Sequence, residues 1–204
     1  MAAGIRTHKG RSLLDPTDSY CAVDIETTGT SCYDSEIIEI GAVRVVRGQM
    51  AGTFASLVHP RSRIPRFITD LTGITNTMVK NAPSLQEVMA GFRSFLGNDI
   101  ILGHNVNFDV NFLYDASAQL SMPSLSNDFV DTLRLSRKIF PDLPEHKLSY
   151  LRFHFGIATP PAHRAESDCI AAIRYFEIMR SHAASLGMTP EQLYQSRMKT
   201  ARRR

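Results

Sequence analysis

Asp24 and Glu26 flank Ile25 in the stretch Tyr20-Cys21-Ala22-Val23-Asp24-Ile25-Glu26-Thr27, an apolar run whose second half is acidic. Such a run reads as a strand, and side chains two apart leave a strand on the same face. Two like charges side by side near a sheet cost free energy unless a cation lies between them. Carboxylate oxygens suit Mg²⁺ or Mn²⁺. The competing reading is a pair of acids at a strand end, solvated by water.

Two further segments carry polar groups of the right type. In Gly103-His104-Asn105-Val106-Asn107-Phe108-Asp109 a strand gives way to a helix. Asp109 falls in the first helical turn, where the helix dipole also favours an acid without any chemistry. His104 and Asn105 read as residues that fix the turn by hydrogen bonding. In His163-Arg164-Ala165-Glu166-Ser167-Asp168 a proline-rich loop enters a helix. The five-residue offset lets a histidine on the loop and a carboxylate on the helix approach one centre. Histidine can take a proton near neutral pH, although a lone histidine at such a place is ordinarily a surface residue. Glu166, two helical positions from Asp168, diverges from it and reads as solvent-facing. Glu39, among isoleucines, reads as structural.

The elements that must position these groups follow from patterning. Residues 20–27, 36–46 and 51–58 read as three strands with short links, Arg47-Gly48-Gln49 being a hairpin turn. They predict an antiparallel meander. Short helical turns follow within 66–80, around Leu71-Thr72-Gly73-Ile74. Ser84 and Glu87 form a capping-box pattern, and Leu85, Val88, Met89, Phe92, Phe95 and Leu96 keep to one helical face up to Gly97. A short strand at 99–103 precedes a helix over about 107–120. A further short strand is expected near 127–130, then helices over about 130–140, 147–155 and 164–183. Thr189-Pro190 starts a last helix. The order predicts an α/β fold, a mixed sheet flanked by helices, in one domain. Its expected division is a flexible segment 1–18, a domain 19–185, and a C-terminal helix and basic tail 186–204.

The bulk numbers allow this. With 204 residues, 43% of them hydrophobic, the chain can bury a sizeable core. A formal net charge of +3 does not by itself argue for nucleic acid. The basic residues are uneven, however: Arg197, Lys199, Arg202, Arg203 and Arg204 end the chain, and Arg6, Lys9 and Arg11 stand near its start. Solvated tails and non-specific attraction for phosphate both fit. Three scattered cysteines form no zinc spacing and suit a reducing cytosol. No secretory signal and no run long enough to span a membrane is read, so a cytoplasmic location is expected.

Taken together, the three acidic segments resemble the DEDDh exonucleases, the DnaQ-like branch of the ribonuclease H-like superfamily. The first motif matches as Val23-Asp24-Ile25-Glu26-Thr27-Thr28-Gly29, followed by Ile37-Ile38-Glu39-Ile40-Gly41-Ala42-Val43. The second matches as His104 to Asp109, and the third as His163 to Asp168, the H-x(4)-D pattern of this branch. Leu71-Thr72-Gly73-Ile74-Thr75 between them is also typical. The resemblance covers about residues 20–180 in order. It implies a ribonuclease H-like sheet (antiparallel meander plus parallel strands) with a site at one end. It also implies that Asp24, Glu26, Asp109 and Asp168 hold two divalent cations, Mg²⁺ or Mn²⁺, with His163 as general base. Such a site hydrolyses phosphodiesters by in-line displacement and releases nucleoside 5′-monophosphates.

The resemblance extends to substrate contacts. Thr27 matches a backbone contact to the terminal 3′-OH, Phe108 an aromatic that packs on the terminal base, and Leu71 an apolar wedge between the last two bases. Core packing is the other reading of Phe108 and Leu71. Proofreading relatives often carry a histidine where this chain has Thr72. The motif wording resembles the proofreading exonucleases of bacterial DNA polymerase III, which implies single-stranded 3′ ends of DNA as substrate and a polymerase subunit as partner. An RNA trimmer like RNase T or oligoribonuclease shares the same metal site. A polymerase-docking, nucleic-acid-binding module with little catalysis is the alternative of a different class.

Overall fold

A computed structural model describes residues 6–14, 17–158 and 164–189. Its elements run β1 (Ser12–Leu13), β2 (Tyr20–Thr27), β3 (Ile37–Val46), β4 (Gln49–Leu57), α1 (Arg66–Thr72), α2 (Asn76–Val79), α3 (Leu85–Leu96), β5 (Ile101–Gly103), α4 (Asn107–Gln119), β6 (Phe129–Asp131), α5 (Thr132–Ile139), α6 (Leu148–His154) and α7 (Ala165–Ser185). The six strands form one sheet in the order β1-β6-β5-β2-β3-β4. The β2-β3-β4 part is the expected antiparallel meander, and β2-β5-β6-β1 pair in parallel. The mixed α/β sheet flanked by helices is therefore present, with the ribonuclease H-like topology. Among the described residues, no helix is long and apolar enough to cross a membrane.

Local chemistry explains the meander. Val46 pairs with Gln49 across a two-residue turn in which Arg47 and Gly48 have φ of 52° and 75°. Positive φ at both turn residues marks a type I′ turn, whose twist matches that of the flanking strands. At α3 both halves of the capping box form: Ser84 Oγ accepts from Glu87 N–H, and Glu87 Oε2 accepts from Ser84 N–H.

The core is split by the sheet. Val23, Ile25, Ile40 and Ala42 pack with Met89 and Phe92 of α3 and Val110 and Leu113 of α4. Ala22, Val43 and Val45 face the other way, onto Leu135 of α5, Leu151 of α6 and Cys169, Ile173 and Phe176 of α7. Period-2 alternation along β2 thus turns Asp24 and Glu26 toward the α7 side, in line with Tyr20 and Ala22. Burying Val23 and Ile25 on the opposite face contributes about 1.5–3 kcal/mol each. That is the scale of stabilisation that keeps β2 in place despite its two acids.

Two expectations need revision. Residues 6–14, read as part of a flexible lead-in, are fixed. Arg6 forks onto Asp115 at 2.9 and 2.6 Å, Lys9 Nζ meets Asn107 and Asn111 Oδ1 at 2.6 Å, and Ser12–Leu13 add a parallel edge strand beside Phe129–Val130. A two-residue strand is too short to leave a periodic signal. The second revision is of boundaries: β5 starts two residues later than expected and β6 ends one later. The helix expected from Pro190 onward and the Arg-rich tail lie outside the described residues.

Candidate active site

Asp24 and Glu26 reach the α7 face at the end of β2, and Asp168 comes from the first turn of α7. Each of the three offers one carboxylate oxygen, and these oxygens lie within 4.8 Å of one another. Asp109, on the first turn of α4, is 4% exposed, and its Oδ1 accepts the Ile25 N–H at 3.0 Å. The parallel pairing of β2 with β5 ends at Ala22, so Asp109 serves the strand N–H that lies beyond it. Of the four acids expected from three distant segments, Asp24, Glu26 and Asp168 share one cluster; Asp109 stands outside that group, bound to the backbone of Ile25 between two of them and near enough to raise the pKa of Asp24.

Their electrostatics is dominated by burial and by one another. Burial pushes the Asp24 carboxyl well above the usual carboxylate range, and Asp109, Glu26 and Asp168 push it further. Asp109 is also raised well above that range, first by burial, against the lowering effect of the Ile25 N–H. Glu26 is raised to about 8 by burial and then by Asp168 and Glu39, with Arg164 opposing. A buried carboxylate either keeps its proton or finds a cation. An all-oxygen set of clustered acids fits a hard divalent cation in donor type and charge.

The first turn of α7 is held by a contact that sequence reasoning did not resolve. Glu39 pairs with Glu26 across the strands. It accepts from Arg164 Nε at 3.1 Å, from Arg164 Nη2 at 2.7 Å, and from the Ala165 N–H at 3.0 Å. The structural role expected for Glu39 is thus that of an anchor for the start of α7. Gly41, two residues along β3, lets that start come close. A Cβ at Gly41 would lie 2.6 Å from Ala165 C and Glu166 N, closer than any real contact. Glu166 is exposed, as expected.

A second group of residues sets the turn between β5 and α4. His104 bridges Thr132 Oγ1 (Nδ1, 2.9 Å) and the His146 carbonyl (Nε2, 2.8 Å), and burial lowers its pKa to about 4. It is a neutral structural imidazole near pH 7. Asn105 takes φ of 61°, and its N–H donates to Asp131 Oδ1 at 2.9 Å. Asp131 also accepts from Leu133 N–H, capping α5. Sequence reasoning missed Asp131, although an Asp directly before a helical pattern is an N-cap signal.

His163 lies outside the described residues. Thr27 is nearly buried, and its Oγ1 donates to the Gly29 carbonyl at 2.6 Å. Phe108 is half-buried with its ring 4.8 Å from that of Phe112, so packing accounts for part of it. Leu71 is 52% exposed on α1, near the exposed Phe67, so core packing does not explain it. Thr72 is buried, donates to the Ile68 carbonyl and accepts from Ile74 N–H. It therefore closes the α1 turn.

Comparison with known proteins gives a consistent result. The RNase T-type exonuclease family, described as "Exonuclease", matches residues 21–176. The DNA polymerase III subunit epsilon of Aquifex aeolicus is 37% identical over 165 residues, 81% of each chain. The PolC-type DNA polymerase III of Clostridium perfringens is 40% identical over 154 residues, 76% of this chain. The chain spans only 11% of that polymerase and 13% of the Caldanaerobacter subterraneus one. Among solved structures, Exonuclease X in complex with 5′ overhanging duplex DNA superposes with a TM-score of 0.63 and 25% identity, covering 85% of this chain and 96% of that one. E. coli Exonuclease I in complex with a dT13 oligonucleotide gives a TM-score of 0.73 at 20% identity over 84% of this chain and 43% of that one, a likeness of fold.

Proposed function

The chain belongs to the RNase T-type exonuclease family, and from that premise we propose that it is a metal-dependent 3′→5′ exonuclease acting on DNA, of proofreading or repair type. The reading is carried by one observation: Asp24, Glu26 and Asp168 offer oxygens within 4.8 Å of one another, with buried Asp109 beside them.

Asp24, Glu26, Asp109 and Asp168 would hold two divalent cations, Mg²⁺ or Mn²⁺. Such a pair supplies activation of water and neutralisation of charge at the phosphate and the leaving 3′ oxygen. This chain's own side chains do the rest. His163, in the H-x(4)-D pattern that enters α7, takes the proton of the attacking water. The Thr27 backbone meets the terminal 3′-OH. Exposed Leu71 inserts between the last two bases, and Phe108 packs on the terminal base, a contact that tolerates any base. The product is a nucleoside 5′-monophosphate. DNA is favoured over RNA because the relatives are DNA polymerase III proteins and Exonuclease X was seen with duplex DNA. By the same likeness a polymerase subunit is the expected partner. Three free cysteines suit the cytoplasm, where replication proteins work.

The test uses purified protein with Mg²⁺ or Mn²⁺ against 5′-labelled single-stranded DNA, a primer–template duplex and RNA. The expected result is a ladder shortening from the 3′ end, fastest on DNA and absent in EDTA. Faster shortening of RNA would replace DNA with RNA as substrate. No metal-dependent shortening of any strand would refute the reading, leaving a docking module.

A further inference from the structure

Asp168 has a second neighbour besides the acids. Arg152, on α6, reaches its Oδ1 with Nη1 at 3.1 Å, and the two side chains are only 14% and 13% exposed. This pair differs from the other arginine–acid pair of the site. Arg164 places both Nε and Nη2 on Glu39, an acid that also accepts a backbone N–H, so that contact locks the backbone. Arg152 instead holds an acid that the site reading above assigns to a divalent cation.

A guanidinium and a divalent cation repel each other at contact distance. They therefore compete for Asp168. A guanidinium displaced from it has somewhere to go. A groove of about 700 Å³ between α5 and α6 opens onto Asp168, with Arg152 on its wall. Arg137 and Lys147 share that wall, Leu133 and Leu148 supply apolar surface, and among the described residues the one acid lining it besides Asp168, Glu145, lies 3.5 Å from Lys147. Such a groove attracts an extended anion, and the anion this family handles is a phosphodiester chain.

We propose that Arg152 is a positioning residue that occupies Asp168 until a divalent cation arrives, then turns into the α5–α6 groove and holds a phosphodiester of the strand being cut. The inference rests on the metal-site reading of Asp168. It makes metal entry and strand capture two halves of one exchange, each favouring the other.

The test is titration of the full chain with Mn²⁺ in the absence of nucleic acid. Arg152→Gln binds Mn²⁺ about fivefold more tightly than the unmodified protein, at the low end of ordinary coupling between two ligands. Arg152→Lys, which keeps the charge, stays near the unmodified value. With Mn²⁺ present and a phosphorothioate dT oligonucleotide as probe, the slope of log affinity against log salt falls by about 0.7 in Arg152→Gln, one phosphate contact on a single strand. Lys at this position restores it. Mn²⁺ affinity in Arg152→Gln that is unchanged or weaker overturns the proposal, as does an unchanged salt slope. Loss of packing alone cannot tighten a metal site, so a destabilised variant does not mimic the expected result. Asp24→Ala is the control: if it binds Mn²⁺ like the unmodified protein, the site reading itself has failed, and not the role of Arg152 alone.

Discussion

Two glutamates at the same end of the sheet, Glu26 and Glu36, live under opposite conditions. Glu36 is also partly desolvated, which raises its pKa. Hydrogen bonds from Ser62 Oγ, the Arg61 and Ser62 N–H groups and the Arg61 guanidinium outweigh that and bring it down to about 2. Glu26, ten residues earlier, is desolvated among other acids and rises to about 8. A carboxylate that the fold needs is given donors. A carboxylate that the fold leaves short of donors, among three others, is spending stability on something else, and that pattern marks candidate sites. The contrast distinguishes the loop that joins β2 to β3 from the acidic cluster beside it.

The harshest test of that contrast is Asp24→Ala, expected to leave no detectable cleavage in an oligonucleotide ladder assay. Asp24→Asn should be equally inactive yet raise the melting temperature of the metal-free protein at neutral pH, because a neutral amide removes the cost of burying an ionisable acid among other acids. A lower melting temperature would show that Asp24 is a structural acid like Glu36. His163→Ala should slow single-turnover cleavage roughly 10²–10⁴-fold with Mn²⁺ affinity retained. An equal loss of metal binding would make His163 a ligand instead.

Glu39→Ala should destabilise by about 2–3 kcal/mol in denaturant unfolding, because it strips a charged acceptor from Arg164 and from the first N–H of α7. Cleavage should fall with it, since Asp168 rides on that turn. Next comes pH. Glu26 is raised from 4.5 to about 8, so its contribution is fully present below pH 4.5 and is lost as pH rises through about 8. Melting of the EDTA-treated protein should therefore weaken across that window, and Glu26→Gln should flatten the decline. Glu36 is depressed from 4.5 to about 2, so its stabilisation is full above 4.5 and vanishes as pH falls toward 2. Glu36→Gln should lower stability at neutral pH by about 1–2 kcal/mol and leave cleavage nearly unchanged. Cleavage falling as far as in Glu39→Ala would erase the distinction between the two regions.

Much of this was legible in the sequence, for physical reasons. The meander shows because the Arg47-Gly48 turn and the alternating strands obey short-range rules. The α3 helix shows because Ser84 and Glu87 cap each other locally. Of the acidic cluster, Asp24 and Glu26 show because i, i+2 acids in an apolar strand are costly and therefore conspicuous, whereas Asp109 and Asp168 joined them only through the resemblance of the three motifs. What did not show depends on distant partners. Glu39 meets Arg164 across 125 positions, and Arg152 meets Asp168 from another helix. The binding of residues 6–14 was hidden because its contacts are single cations finding Asp115, Asn111 and Asp128, none of which leaves a pattern in a nine-residue stretch. The identity of Glu39 as structural was read correctly, but its partner could only come from the folded chain.

Gly41 leaves one more consequence. With hydrogen in place of a methyl group, β3 and the start of α7 approach until their backbones touch, and this closeness fixes how far Asp168 stands from Asp24 and Glu26. The width of the candidate site is therefore gauged by a residue that carries no functional group. Gly41→Ala would pry the helix away from the sheet and spread the acids apart while every one of them stayed chemically intact. A change of that kind would be invisible to any inspection of the acidic side chains themselves.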